Sequence, residues 1–133
     1  MSGREILRRA GRVARALGVD GSELSIVLTR DDEIHALNRD YRKKDRPTDV
    51  LAFAMQEGEV APGGEQLLGD VIISVETARK QAEKAGHDVL AEVTMLMVHG
   101  ILHLLGWDHD TPPKDRKMRA ETDRLVAVAR RRR

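Results

Sequence analysis

A chain of 133 residues, 41% hydrophobic and 34% charged, is long enough for one core, so a single domain over residues 1–133 is expected. With no cysteine it can build neither a disulfide framework nor a thiolate site, and with no apolar run of about 18 to 20 residues it offers no bilayer-spanning helix. Its opening residues carry no secretory pattern, which makes a cytoplasmic location the expectation, and a formal net charge of +1 conceals cationic runs at 39–46 and 130–133.

In chain order, Ile6, Ala10, Val13 and Leu17 recur at helical spacing and predict a helix over about 3–17, closed by Gly18. Arg4, Arg8, Arg12 and Arg15 line its opposite side, a stripe that reads as a solvated face with RNA contact as the alternative. Leu24 to Leu28 predicts a strand. A second helix is expected to begin at Thr29, with Asp31, Asp32 and Glu33 as capping acids in its first turn and Ile34, Leu37 and Tyr41 as its buried stripe. Residues 42–48 form a cationic loop broken by Pro47.

Val50 to Phe53 predicts a second strand, followed by a Gly- and Pro-containing loop through Gly64. A third strand, Asp70 to Ser74, contains Val71-Ile72-Ile73, a run that predicts burial on both faces. Ser74 suits the N-cap of a helix ending near Ala85, before Gly86, and Asp88 suits the cap of the next, about Val89 to Leu105. The latter is apolar nearly all round, so it should be buried and central, its methionines acting as core filler. Beyond Pro112-Pro113 a last helix is expected over about 114–128, with Met118, Leu125 and Val128 inward. The class is therefore α+β: a small mixed sheet of three or four strands around a central buried helix, with about four further helices.

Chemistry concentrates at the end of that central helix, where three of the five histidines fall between positions 99 and 109. His99 and His103, four residues apart, stand about 40° apart around a helix axis, both imidazoles on one face. His109 would be turned about 120° away were the helix to continue. Gly106 supplies the stop, because glycine enters the left-handed conformation that ends helices, and the chain can then return His109 to the pair. Three neutral nitrogen ligands without cysteine fit one tetrahedral Zn²⁺ whose fourth position is left to water. Asp108 or Asp110 filling that position would make the ion structural instead. Asp70 either orients a ligand histidine or caps a turn.

The spacing H-x-x-x-H-x-x-G-x-x-H is shared with the metzincin peptidases, which place a glutamate directly after the first histidine as general base. Gly100 stands there in this chain, so a peptidase would lack its proton carrier.

The segment from His99 to His109 closely resembles the signature H-G-x-L-H-L-x-G-[YF]-D-H of the YbeY family, with Trp107 at the usual tyrosine or phenylalanine. Residues 37–53, LNRDYRKKDRPTDVLAF, are similar to that family's L-N-x-x-Y-R-x-K-D-x-P-T-[DN]-V-L-S-F-P, and Leu68 to Ser74 to its L-G-D-[IV]-x-I-[SC] strand. Ala52 and Ala54 replace the usual serine and proline. Family members also commonly begin with a further strand, so the sheet here is expected to be one strand smaller.

The resemblance implies a single-strand-specific zinc-dependent endoribonuclease of ribosomal RNA maturation, with small-subunit rRNA 3′-end processing and ribosome quality control as its tasks. It further implies ribosomal RNA, the ribosome or its assembly proteins as partners, with no DNA and no membrane. Zinc would be held by His99, His103 and His109, with Asp70 and Asp108 supporting the ligands. Arg42 is the further residue the resemblance singles out, and a planar guanidinium suits a scissile phosphate by offering paired donors. Lys43, Lys44 and Arg46 would hold the backbone; pairing of Arg42 with Asp40 or Asp45 is the alternative. The proton acceptor stays open among the ion's own water, a phosphate oxygen and Asp108. One aromatic residue of each type leaves little for base stacking, so sequence preference should be weak or borrowed from partners. The rival from another class is a non-catalytic RNA-binding or ribosome-assembly factor with a structural zinc.

Overall fold

The computed structural model describes residues 1–55 and 67–131. The loop expected through Gly64, and Arg132 and Arg133 of the terminal arginine run, lie outside the described residues. Helix α1 (Gly3–Ala16) starts at Ser2, whose hydroxyl accepts the Glu5 N–H, and buries Ile6, Ala10 and Val13. Arg4, Arg8 and Arg15 are exposed as a solvated face requires. Arg12 departs from that expectation: its guanidinium donates to the Ala129 carbonyl at 2.8 Å and ties α1 to the last helix.

Strand β1 (Glu23–Thr29) takes in Thr29, so α2 (Asp31–Arg42) begins two residues later than the sequence suggests. Of its first-turn acids, Asp32 accepts a helix N–H, that of Glu33 at 3.0 Å, but Asp31 does not cap. Asp31 instead accepts from the hydroxyls of Ser74 and Thr77, each at 2.5 Å, and joins α2 to the start of α3 (Val75–Ala85). The buried stripe differs too: Ile34 and Asn38 are buried, whereas Tyr41 is 67% exposed. The last turn of α2 meets an edge strand rather than the core, and there Tyr41 rests edge-on against Phe53, ring centroids 5.6 Å apart. Arg42, expected in the following loop, closes the helix, and Lys43 leaves it in a left-handed conformation.

Strands β2 (Val50–Ala54) and β3 (Leu67–Ser74) complete a three-stranded sheet in the order β1-β3-β2, with β1 parallel and β2 antiparallel to β3. A bulge between Glu23 and Leu24 shifts the β1 register, so that Leu24 faces Gly69. Gly69 has φ +142°, and a Cβ there would stand 2.3 Å from the Phe53 carbonyl oxygen. Only glycine lets β2 and β3 approach this closely. Val71 and Ile73 are fully buried but Ile72 is half-buried, so one sheet face is sealed where both were expected.

Helix α4 (Val89–Leu104), capped by Asp88, packs on β2 and β3 and touches α1, α3 and α5 (Pro112–Ala129). Val93, Leu96, Met97, Val98, Ile101 and Leu102 are at most 2% exposed, which makes it the central element the apolar pattern requires. Met97 and Met118 fill the core, and Met118, Leu125 and Val128 face inward as predicted. Between the ends of α4 one stripe stays half-open, at Met95, His99 and His103, spaced by four residues. A rigid, buried helix thereby presents two imidazoles on its single accessible line. No helix among the described residues is long and apolar enough to cross a membrane.

Candidate metal centre

The helix ends where the third histidine needs it to. Gly106 has φ +92°; its N–H bonds the His103 carbonyl and the Trp107 N–H bonds the Leu102 carbonyl, both at 3.0 Å. This pair of bonds is the Schellman closure, which reverses the chain and points its next residues back along the helix. His109 returns as a result. The ring centroids of His99, His103 and His109 stand 4.5, 5.6 and 5.4 Å apart pairwise, and one nitrogen from each lies within 4.8 Å of the other two.

Tautomers follow from the partners. The Trp107 carbonyl can only accept, so His103 Nδ1, 3.0 Å away, carries the proton, and its Nε2 turns a lone pair towards His99 Nε2 at 3.0 Å. Tetrahedral ligands at Zn–N distances of 2.0–2.1 Å stand about 3.3 Å apart, so the pair is already close to a shared-cation spacing. Burial holds both His99 and His103 below the ordinary imidazole value of 6.5; for His99 the charges of His103 and His109 add to this, and for His103 those of His109 and Arg42. Asp49 works against the shift at His99, as do the Trp107 carbonyl and Asp108 at His103. Both rings are kept neutral at physiological pH, the state a metal ligand needs. The donor set fits a borderline-soft divalent ion such as zinc.

No carboxylate joins the cluster among the described residues. Asp110 pairs with Lys114 at 3.5 Å, and Asp108 accepts the N–H of its neighbour His109 at 2.7 Å. Asp70 lies on β3 opposite Phe53, and none of the histidine hydrogen bonds among the described residues reaches it. At His103 a main-chain carbonyl holds the ring nitrogen that faces away from the cluster. Gly100 faces the sheet: a Cβ there would stand 2.6 Å from Val71 Cγ1. A side chain at the peptidase glutamate position would press on the sheet, so a glutamate there would require Val71 to move.

Two clefts flank the triad. One, of about 810 Å³, is lined by His103 together with Arg42, Lys44, Arg46, Asn38 and Phe53. Arg42 donates to the Ala52 carbonyl at 2.5 Å, and its guanidinium carbon lies 4.9 Å from the Phe53 ring centroid. Neither expected carboxylate takes it: Asp40 pairs with Arg39 and Asp45 with His35. Because Arg42 uses the main-chain oxygen of residue 52, alanine in place of the usual serine does not remove its anchor. Lys43 does not line this cleft; its ammonium turns back to the Asp40 carbonyl. The second cleft, about 680 Å³, has His99 and His109 on one wall and Asp115, Arg119 and Thr122 of α5 on the other.

Asn38 is a residue that sequence reasoning passed over. It is 3% exposed, its side-chain amide donates to the Arg46 carbonyl at 2.9 Å and its main-chain carbonyl accepts the Lys44 N–H at 3.2 Å, so it folds the cationic loop onto α2. A polar residue at a buried helical position was the available signal.

Three convergent imidazoles that could hold a metal ion, beside a cation-lined cleft, are the arrangement of a metal-dependent hydrolase for a phosphate-bearing substrate. Residues 4–129 match the family model described as endoribonuclease YbeY. The chain belongs to the YbeY family of endoribonucleases, which are hydrolytic nucleases. The YbeY endoribonuclease of Aquifex aeolicus is 50% identical over 111 residues, covering 84% of this chain and 72% of that protein. That of Pelotomaculum thermopropionicum is 46% identical over 124 residues, 91% of this chain and 82% of its own. The solution structure of TM1509 from Thermotoga maritima superposes with a TM-score of 0.67 at 25% identity, covering 97% of this chain and 84% of that one.

Proposed function

We propose that this chain is a single-strand-specific, zinc-dependent endoribonuclease of ribosomal RNA maturation, acting at the 3′ end of small-subunit rRNA and in ribosome quality control. His99, His103 and His109 would hold one zinc ion, which when bound supplies a Lewis acid for the phosphoryl oxygen and lowers the pKa of water at its open position. Arg42 binds the scissile phosphate and offsets the charge that builds on it during attack. Lys44 and Arg46 hold the neighbouring backbone, and Lys43 adds positive potential from outside the cleft. Asp108 stands next in sequence to a ligand, its charge acts on His103, and it could take a proton at its free oxygen. Work on ribosomal RNA implies the ribosome or its assembly proteins as partners, and a cytoplasmic location.

The observation that carries this reading is that His103 and Arg42 line one cleft, so a phosphate gripped by the guanidinium is delivered to the imidazole cluster. Affinity for nucleic acid then comes from backbone charge, and specificity for single strands from a cleft in which a lone strand can splay its bases. Complementation in cells tests it: a folded His103→Ala protein should fail to restore mature small-subunit rRNA 3′ ends. Restoration equal to wild type would leave a non-catalytic assembly role in its place.

A further inference from the structure

The chain has one tyrosine, one phenylalanine and one tryptophan. All three lie around the site: the Trp107 main chain fixes His103, Phe53 lines the cationic cleft, and Tyr41 rests on Phe53. Trp107 and Phe53 are half-buried and accounted for, the Trp107 ring by packing against the core and Phe53 by its contacts with Tyr41 and Arg42. Tyr41 is not, being 67% exposed on the residue adjoining Arg42.

We infer that the Tyr41 ring is the stacking platform for one nucleobase of the strand whose phosphate Arg42 holds. This rests on the nuclease reading given above and adds the residue that reads a base. Tyr41 and Arg42 both touch Phe53, Tyr41 edge-on at 70° between ring planes and Arg42 with its guanidinium 4.9 Å from the ring centroid. One half-buried ring therefore sets the spacing of an aromatic surface and a phosphate-binding fork, which match the base and the phosphate a single nucleotide presents. The position of each is held before RNA arrives: Arg42 by the Ala52 carbonyl, Tyr41 by Phe53, both at the end of α2 where Lys43 turns the chain. A tyrosine serving only to pack would bury more of its ring; one serving a base must keep it open, and every base has a face to offer it. With a single such platform the enzyme discriminates stacking strength at one nucleotide, purine over pyrimidine, rather than reading a sequence.

The test uses the metal-loaded full chain and a short end-labelled single-stranded RNA, intact or with one abasic nucleotide placed at each position in turn. For the wild type, KM should rise roughly 5- to 150-fold when the gap occupies one particular position beside the cleaved bond. Tyr41→Ala should show the same rise on intact RNA, with kcat little changed, and should be indifferent to the gap at that position. Tyr41→Phe, which keeps the ring, should behave as wild type. An unchanged KM in Tyr41→Ala, or one raised yet still sensitive to the gap, would overturn the inference, the latter by assigning Tyr41 a packing role only. Were the wild type not to cut RNA, the nuclease reading would fall, while fluorescence anisotropy of the same uncut RNA on wild-type and Tyr41→Ala protein would still decide this one.

Discussion

The imidazole N–H of His103 donates to the carbonyl of Trp107, and that carbonyl is where it is because Gly106 ends α4 with φ +92°. Helix termination and ligand tautomer are one device. The bend that brings His109 to the site also supplies the acceptor that commits Nδ1 of His103 and leaves Nε2 to the metal.

Gly106→Ala should therefore cost more than helix stability. The left-handed conformation is strained for alanine by about 1 kcal/mol, and a shifted Trp107 carbonyl loosens the ring it holds. Zinc affinity should fall roughly 10- to 100-fold, the range for loss of a group that orients a ligand. Competition against a fluorescent chelator measures it; an unchanged affinity would separate the bend from the ligand.

Arg42→Lys keeps the charge and loses the paired donors. Steady-state cleavage of a single-stranded RNA should show kcat reduced by roughly 10²–10³, with KM less affected, since the guanidinium is assigned to charge that develops in the transition state. A lysine variant as fast as wild type would reduce Arg42 to a backbone contact.

At Gly100 the constraint is packing. Alanine there meets Val71, a fully buried β-branched side chain, and should cost about 1–3 kcal/mol in denaturant unfolding. Gly100→Glu should be worse and should not create peptide hydrolysis, because its side chain points into the sheet. Casein cleavage by a folded Gly100→Glu protein would refute that placement.

Acid should weaken the metal-free fold through the same histidines. Folding holds His99 and His103 below 6.5, so as pH falls through that value the unfolded chain takes up protons first and stability drops; it levels off only below the folded values. Above 6.5 both states are neutral and the two rings contribute no pH dependence. The melting temperature of stripped protein, followed from pH 7.5 down to about 5, should decline, and His99→Gln/His103→Gln should flatten that decline. An equal slope in the double variant would place the acid sensitivity elsewhere.

Much of the architecture could be read from residue order. Ser74, Asp88 and Gly86 are caps in the structure as in the pattern, and the all-round apolar character of residues 89–104 identified the buried helix. Spacing alone predicted that His99, His103 and His109 would converge, because both the 3.6-residue repeat and the glycine bend are local properties. Contacts between distant segments were not legible. That Asp31 would bond Ser74 and Thr77, that Tyr41 would stay open against Phe53, and that the Ala52 carbonyl would anchor Arg42 all depend on strand order and register, which no local pattern encodes. Lys43 misled for a related reason: composition places it in a cationic loop, whereas its left-handed backbone turns it away from the cleft.

The most direct measurement is a zinc titration of metal-stripped protein with cleavage of a labelled single-stranded RNA as the readout. Activity should be absent at the start, return in proportion to added zinc and level off at one ion per chain, while His99→Ala/His103→Ala stays inactive throughout. Full cleavage by the stripped protein, or by that variant, would contradict a catalytic metal held by these histidines.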